Sequence, residues 1–136
     1  MIKISPESPE KAILEFVKSW MKLLAENRLD EACVMIDEPN CYGIVWTPEL
    51  IIETVNETFS PDTIFYEYFP EGPIFTDPYK LPEQKNREVI EFVDKSGYVF
   101  EYDIPLNGEW SDLTAQFEFL KRENGYAVIL HDLHVM

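Results

Sequence analysis

Basic residues are what this chain has least of: lysine and arginine total 11 against 26 aspartates and glutamates, a formal net charge of −15 over 136 residues. Nucleic-acid binding depends on cationic side chains neutralising phosphates, so this balance argues against a nucleic-acid partner. It disfavours anionic membrane surfaces for the same reason. The shortage is also local. No basic residue lies between Arg28 and Lys80, while Asp30, Glu31, Asp37, Glu38, Glu49, Glu53, Glu57, Asp62, Glu67, Glu71 and Asp77 all do. Such a field speeds encounter with a basic partner, and equally it keeps a surface soluble and self-repelling. Cysteine is scarce: Cys33 and Cys41 form no C-x-x-C, which suggests a reducing compartment, with Cys33 reading as a small helix-core residue. No apolar run approaches a membrane span, and Met1-Ile2-Lys3-Ile4-Ser5-Pro6 lacks a signal core, so a cytoplasmic location is expected. Nucleophile elbow, phosphate-cradling glycine loop and H-E-x-x-H are all missing, and no cofactor is expected.

Apolar material is plentiful, at 46% of residues with 14% aromatic, and the length suits one domain spanning 1–136. Ser8-Pro9-Glu10 reads as a helix start, with a capping hydroxyl, proline in the first turn and an acid near the positive end of the dipole. Ile13, Phe16, Val17, Trp20, Met21 and Leu24 follow at helical spacing, so one stripe faces a core. Leu29, Ala32, Cys33 and Ile36 mark a second, short helix. Thr47-Pro48-Glu49 repeats the capped opening before a third helix from Leu50 to Phe59. Ile64 to Phe69 has strand character, but prolines at 61, 70, 73, 78 and 82 chop the region into extended pieces and turns.

Four β-rich runs, about 87–94, 98–104, 110–122 and 126–136, are separated by Lys95-Ser96-Gly97, Asn107-Gly108 and Asn124-Gly125, which predicts an antiparallel meander. A two-residue turn at Asn107-Gly108 sets Tyr102 opposite Leu113, Phe100 opposite Ala115 and Tyr98 opposite Phe117. A three-residue loop with Gly97 left-handed sets Phe92 opposite Phe100 and Ile90 opposite Tyr102. For the last hairpin, a three-residue loop at Glu123-Asn124-Gly125 sets Phe119 opposite Ile129, Phe117 opposite His131 and Ala115 opposite Leu133. One face is then apolar: Ile90, Phe92, Tyr98, Phe100, Tyr102, Leu113, Phe117, Phe119, Ile129 and Leu133. The first helix supplies the matching stripe, giving an α+β fold.

Three passages, the long helix running into Asn27-Arg28-Leu29-Asp30-Glu31-Ala32, the opening Thr47-Pro48-Glu49, and the closing strands Trp110 to Phe117 and Leu130 to Val135, resemble the nuclear transport factor 2-like superfamily across residues 9–136. The resemblance implies a cone, with three N-terminal helices packed on a curved antiparallel sheet, and a pocket at its open end. Its members include ketosteroid isomerases, dehydratases, epoxide hydrolases and non-catalytic binding modules, and a homodimer is implied. No catalytic motif of those enzymes can be matched residue by residue.

His131 would be the one ionisable sheet residue on the apolar face, a candidate general base or ligand anchor. The plainer reading is a core-edge histidine bonded to backbone or tyrosine. On the other face the same register aligns Glu91, Glu101, Thr114 and His134, and a Glu101–His134 pair could do acid–base work or simply offset crowded carboxylates on a wetted or dimer-facing surface. His131 and His134, three apart on a strand, point to opposite faces unless a bulge intervenes, so no metal site is expected. Tyr42, Trp46, Tyr66 and Tyr68 are candidates for a pocket mouth, whereas Trp20 reads as core. Tyr42, Trp46, Tyr102 and His131 form the expected ligand-contacting set. The leading expectation is a non-catalytic binding domain meeting a basic protein, as an immunity-type protein meets a cationic toxin. The rival is a small-molecule enzyme or carrier of the pocketed-cone type.

Overall fold

The apolar stripe of the first helix is buried along its whole length. In a computed structural model that describes residues 1–60, 62–63, 69, 72–85 and 87–135, α1 runs Pro9–Ala25, and Ile13, Phe16, Val17, Trp20, Met21 and Leu24 are all buried. Its start departs from expectation: Ser8 precedes the helix but its side chain makes no cap bond, and the Ser8 amide instead donates to Ser5 O at 3.1 Å. The helix stops where Asn27 turns left-handed (φ 59°) and the Arg28 amide folds back to Leu23 O at 2.8 Å. α2 (Leu29–Val34) follows, tied to α1 by the Trp20 indole donating to Ala32 O at 3.1 Å. α3 (Pro48–Thr58) opens as expected, with Thr47 Oγ1 accepting from the Leu50 amide at 3.1 Å. Ile51 and Val55 are its buried face. The expected strand over 64–69, with Tyr66 and Tyr68, lies outside the described residues apart from Phe69, whose ring meets Phe59 edge-on at 4.8 Å.

The three helices pack on a four-stranded antiparallel sheet in the order β1-β2-β3-β4, built from β1 (Ile90–Glu91), β2 (Gly97–Leu106), β3 (Glu109–Arg122) and β4 (Gly125–Val135). The sheet does not close, and the architecture is the expected cone-shaped α+β arrangement. Phe16 meets Phe117 and Phe119 edge-on at 5.9 and 5.8 Å, and Trp20 meets Phe117 at 5.1 Å, so α1 lies against the middle of the sheet.

Register is where expectation and structure part. The Asn107-Gly108 turn is present, both residues left-handed and Leu106 paired with Glu109. Beyond Pro105↔Trp110 the ladder slips by two residues, to Asp103↔Thr114, Tyr102↔Ala115, Phe100↔Phe117 and Tyr98↔Phe119. Proline has no N–H to give the ladder, so the irregularity sits beside Pro105. Ser111 fills it, its Oγ donating to Ile104 O at 2.6 Å and accepting from the Leu113 amide at 3.1 Å. A slip of two leaves side-chain parity unchanged, so Phe100 and Phe117 share the inner face.

The first hairpin shifts by an odd number, and parity flips. Ile90 pairs with Val99 and Glu91 with Tyr98 rather than Ile90 with Tyr102. Ile90 therefore stands 59% exposed, and Phe92 forms no pair with Phe100. The left-handed position belongs to Lys95 (φ 63°) and not to Gly97. Gly97 is needed for another reason: a Cβ there would lie 2.2 Å from Phe119 O.

The last hairpin satisfies two registers with one bulge. Arg122 pairs with Gly125, Phe119 with Val128 and Phe117 with Leu130; past the bulge, Gln116 pairs with Asp132, Ala115 with Leu133 and Thr114 with His134. Val128 and Leu130 alternate in one phase and Leu133 in the other. A single extra residue, His131, lets all three face the core. His131 therefore does not sit opposite Phe117, and Ile129 turns to the outer face opposite Glu118.

Candidate functional site

Four places on the fold collect polar or chemically capable groups. The first surrounds His131. Displaced by the bulge, it turns outward, its Nδ1 3.3 Å from Glu118 Oε1 and 3.9 Å from Cys41 Sγ, with the Tyr42 ring 6.0 Å away. Both neighbours meet the same ring nitrogen, so a thiol–imidazole–carboxylate relay through two nitrogens is not formed. The loop beside it is held by buried Asn40, whose Nδ2 donates to His131 O at 3.0 Å while its Oδ1 accepts from the Tyr42 and Ile44 amides. Tyr42 is 78% exposed there; Trp46 is buried, its indole donating to Leu130 O at 2.8 Å, so it serves the frame and not an open site.

The second is the expected Glu101–His134 pair, which the structure separates. Glu101 lies opposite Gln116 in the row of Asp132, while His134 shares its row with Thr114 and Asp103. His134 Nδ1 is 3.3 Å from Asp132 Oδ2, close enough for an ion pair but off hydrogen-bond geometry. The bulge brings both histidines to the outer side, each beside a different carboxylate. Among the described residues no three His, Cys, Asp or Glu side chains are grouped to hold a metal ion.

The third is a cavity of about 360 Å³ between the start of α1, residues 83–84 and 87–89, and the inner sheet face. Phe100 and Tyr102 floor it, their rings stacked 5.5 Å apart. Gln84 fixes the segment to β2: its Nε2 donates to Asp103 O at 3.0 Å, and its Oε1 accepts from the Asp103 amide at 3.1 Å. Arg87 pairs with Asp103, which also accepts from Thr114 Oγ1 at 2.9 Å. Tyr102 is thus the one expected ligand-contacting residue that lines this cavity. In the sequence Glu10 reads only as the acid of a helix start and Arg87 and Glu88 only as the opening of a β-rich run, while Gln84 carries no local signal, so nothing in the spacing places the four around one cavity.

The fourth is a groove of about 540 Å³ between α2 and α3, lined by Leu29, Pro48 and Ile52 with Asp30, Glu49 and Glu53. Glu49, Glu53 and Glu57 follow at four-residue spacing on α3, all exposed. Among the described residues none of these three, nor Asp30, forms an ion pair, because Arg28 is taken by Glu26 and Glu31. The local field registers on Cys33, whose thiol is pushed above its usual range by burial first and then by Asp30 and Glu49.

No described helix is long and apolar enough to cross a membrane. No curated protein and no solved structure matches the chain. A family model does match, covering residues 50–136, from α3 through the whole sheet. On that match the chain belongs to the family described as Domain of unknown function (DUF7668).

Proposed function

We propose that this chain is a non-catalytic binding domain whose acidic α2–α3 face receives a basic protein, with neutralisation of a cationic toxin as one concrete form. The observation that carries the reading is the pair Glu49 and Glu53, lining with Asp30 a groove that also holds Leu29 and Ile52, and continued along α3 by exposed Glu57, with no cation of its own paired to it among the described residues. Ile52 is 41% exposed, so the acidic rim surrounds an apolar spot. A charged rim steers encounter and an apolar centre holds what arrives. The cone shape also supports placing the domain in the nuclear transport factor 2-like superfamily, as part of the same proposal.

The test is capture on the immobilised chain at low salt, identification of what is retained, and titration of the purified partner. The expected partner is basic, and its binding weakens at least about tenfold between 50 and 500 mM salt, as charge-steered association does. Replacing Glu49, Glu53 and Glu57 together by Gln is expected to weaken it by about the same factor. A retained partner that is acidic or neutral, or one indifferent to the triple substitution, defeats the proposal.

A second reading, a small-molecule carrier or enzyme of the pocketed-cone type, is favoured by the cavity over Phe100 and Tyr102. It does not use His131, which lies outside that cavity.

A further inference from the structure

The cavity between residues 83–84, residues 87–89 and the sheet holds groups that the fold leaves unspent. We infer that it takes a small organic cation that also bears a hydrogen-bond acceptor; the inference rests on the small-molecule reading and names its ligand class.

Charge accounting comes first. Among the described residues that line the cavity Arg87 is the one cation, and it is committed, as is Lys18, the partner of the lining residue Glu83. Arg87 bonds Asp103 and, through Nε, Gln84 Oε1 at 3.3 Å. Lys18 lies 3.6 Å from Glu83 and 4.5 Å from the centre of the Tyr79 ring. Glu10 and Glu88, exposed at the rim, have no ion-pair partner among the described residues. What a ligand meets is therefore net negative, and an anion is repelled.

The floor gives the shape. Phe100 and Tyr102, stacked at 25°, with Leu14 and Val89 beside them, present a flat apolar surface suited to a ring or short alkyl body. Ring faces also attract a cation.

The polar end is set by Tyr102. Its side chain is 1% exposed, and its oxygen accepts from the Gln84 amide at 3.3 Å. Its own O–H finds no acceptor among the described residues. Burial holds the phenol above its usual range, so the hydroxyl keeps its proton and stays a donor. A buried donor without an acceptor is costly, and an oxygen on a ligand relieves it.

Tyramine, 4-ethylphenol and 4-hydroxyphenylacetate share a phenol and differ in charge: positive, neutral, negative. Titrated against the full chain by calorimetry and by amide shifts of Phe100 and Tyr102, tyramine is expected to saturate one site at least about tenfold more tightly than the acid. Glu88→Gln, a rim change that spares the core, is expected to weaken tyramine about threefold and leave 4-ethylphenol unchanged. Tyr102→Phe is expected to weaken both. Equal binding of amine and acid, or tyramine binding untouched by Glu88→Gln and Glu10→Gln together, overturns the cation assignment; if 4-ethylphenol still saturates the site, the small-molecule reading stands. No saturable shift with any of the three overturns both.

Discussion

Gly97 opens β2 and Gly108 lies in the turn that follows it, and an added methyl group meets different surroundings at each. At Gly97 a Cβ would lie 2.2 Å from the backbone oxygen of Phe119, which cannot move without breaking the β2–β3 ladder. At Gly108 nothing lies within 4 Å, and only the left-handed φ of 86° selects glycine. Gly97→Ala is therefore expected to cost about 3 kcal/mol or more, as overpacking against backbone does. Gly108→Asn is expected to cost less than about 1 kcal/mol, because asparagine tolerates that conformation. Urea midpoints of the two variants check the ordering, and a smaller loss at Gly97 would contradict it. The Asn107-Gly108 dipeptide announced its turn, because turn chemistry is local. The role of Gly97 was not legible, since its reason is an atom on another strand.

At the scale of elements, the two capped openings that look alike in sequence behave differently. Thr47 Oγ1 accepts from the Leu50 amide, whereas Ser8 caps nothing and Ser5 Oγ instead donates to Glu7. Thr47→Ala is expected to lower stability by about 1 kcal/mol. Ser8→Ala is expected to fall within about 0.5 kcal/mol of no change. Thermal melts of both decide it; equal losses would show that the hydroxyl at 8 does cap in solution. β4 shows a second element-level effect. As an edge strand it would expose unpaired backbone, but Ile2 pairs with Tyr126, Asp37 with Val128, and Trp46 and Asn40 take the carbonyls of Leu130 and His131. Covering the edge removes a template for aggregation. In the sequence Trp46 reads as a pocket-mouth candidate and Asn40 gives no sign of covering an edge, because their partners lie more than eighty residues away.

For the whole molecule, a net charge of −15 opposes compaction. Raising NaCl from about 20 to about 500 mM at neutral pH is expected to raise the melting temperature by about 2–5 °C, by screening that repulsion. The same salt is expected to weaken a basic partner's binding, so the two effects carry opposite signs. An acid limit follows from the ion pairs. Arg122 holds the Glu38 carboxyl below its usual range, and Arg28 does the same to Glu31. A carboxyl lowered on folding contributes stability above the ordinary carboxylate range and loses it as pH falls through the lowered value. Stability is accordingly expected to drop below about pH 4. Melts across pH and salt test both limbs; a melting temperature that falls with added salt at pH 7 would contradict the first.

Helix positions, the meander, the Asn107-Gly108 turn and the polarity of the two sheet faces in β2 and β3 follow from the order of residues alone, because each is fixed by spacing within a few positions. The inner set from Tyr98 to Phe119 was readable for that reason, and a slip of two could not disturb it. Tertiary structure decided everything that depends on counting across strands: the bulge that turns His131 outward, the flip that exposes Ile90, and the separation of Glu101 from His134. The physical reason is that one inserted residue reverses every side chain beyond it, while a slip of two keeps the face and changes every partner, which is what parts Glu101 from His134. Whether a bulge forms depends on whether Val128, Leu130 and Leu133 can all be buried together, which only the packed core determines.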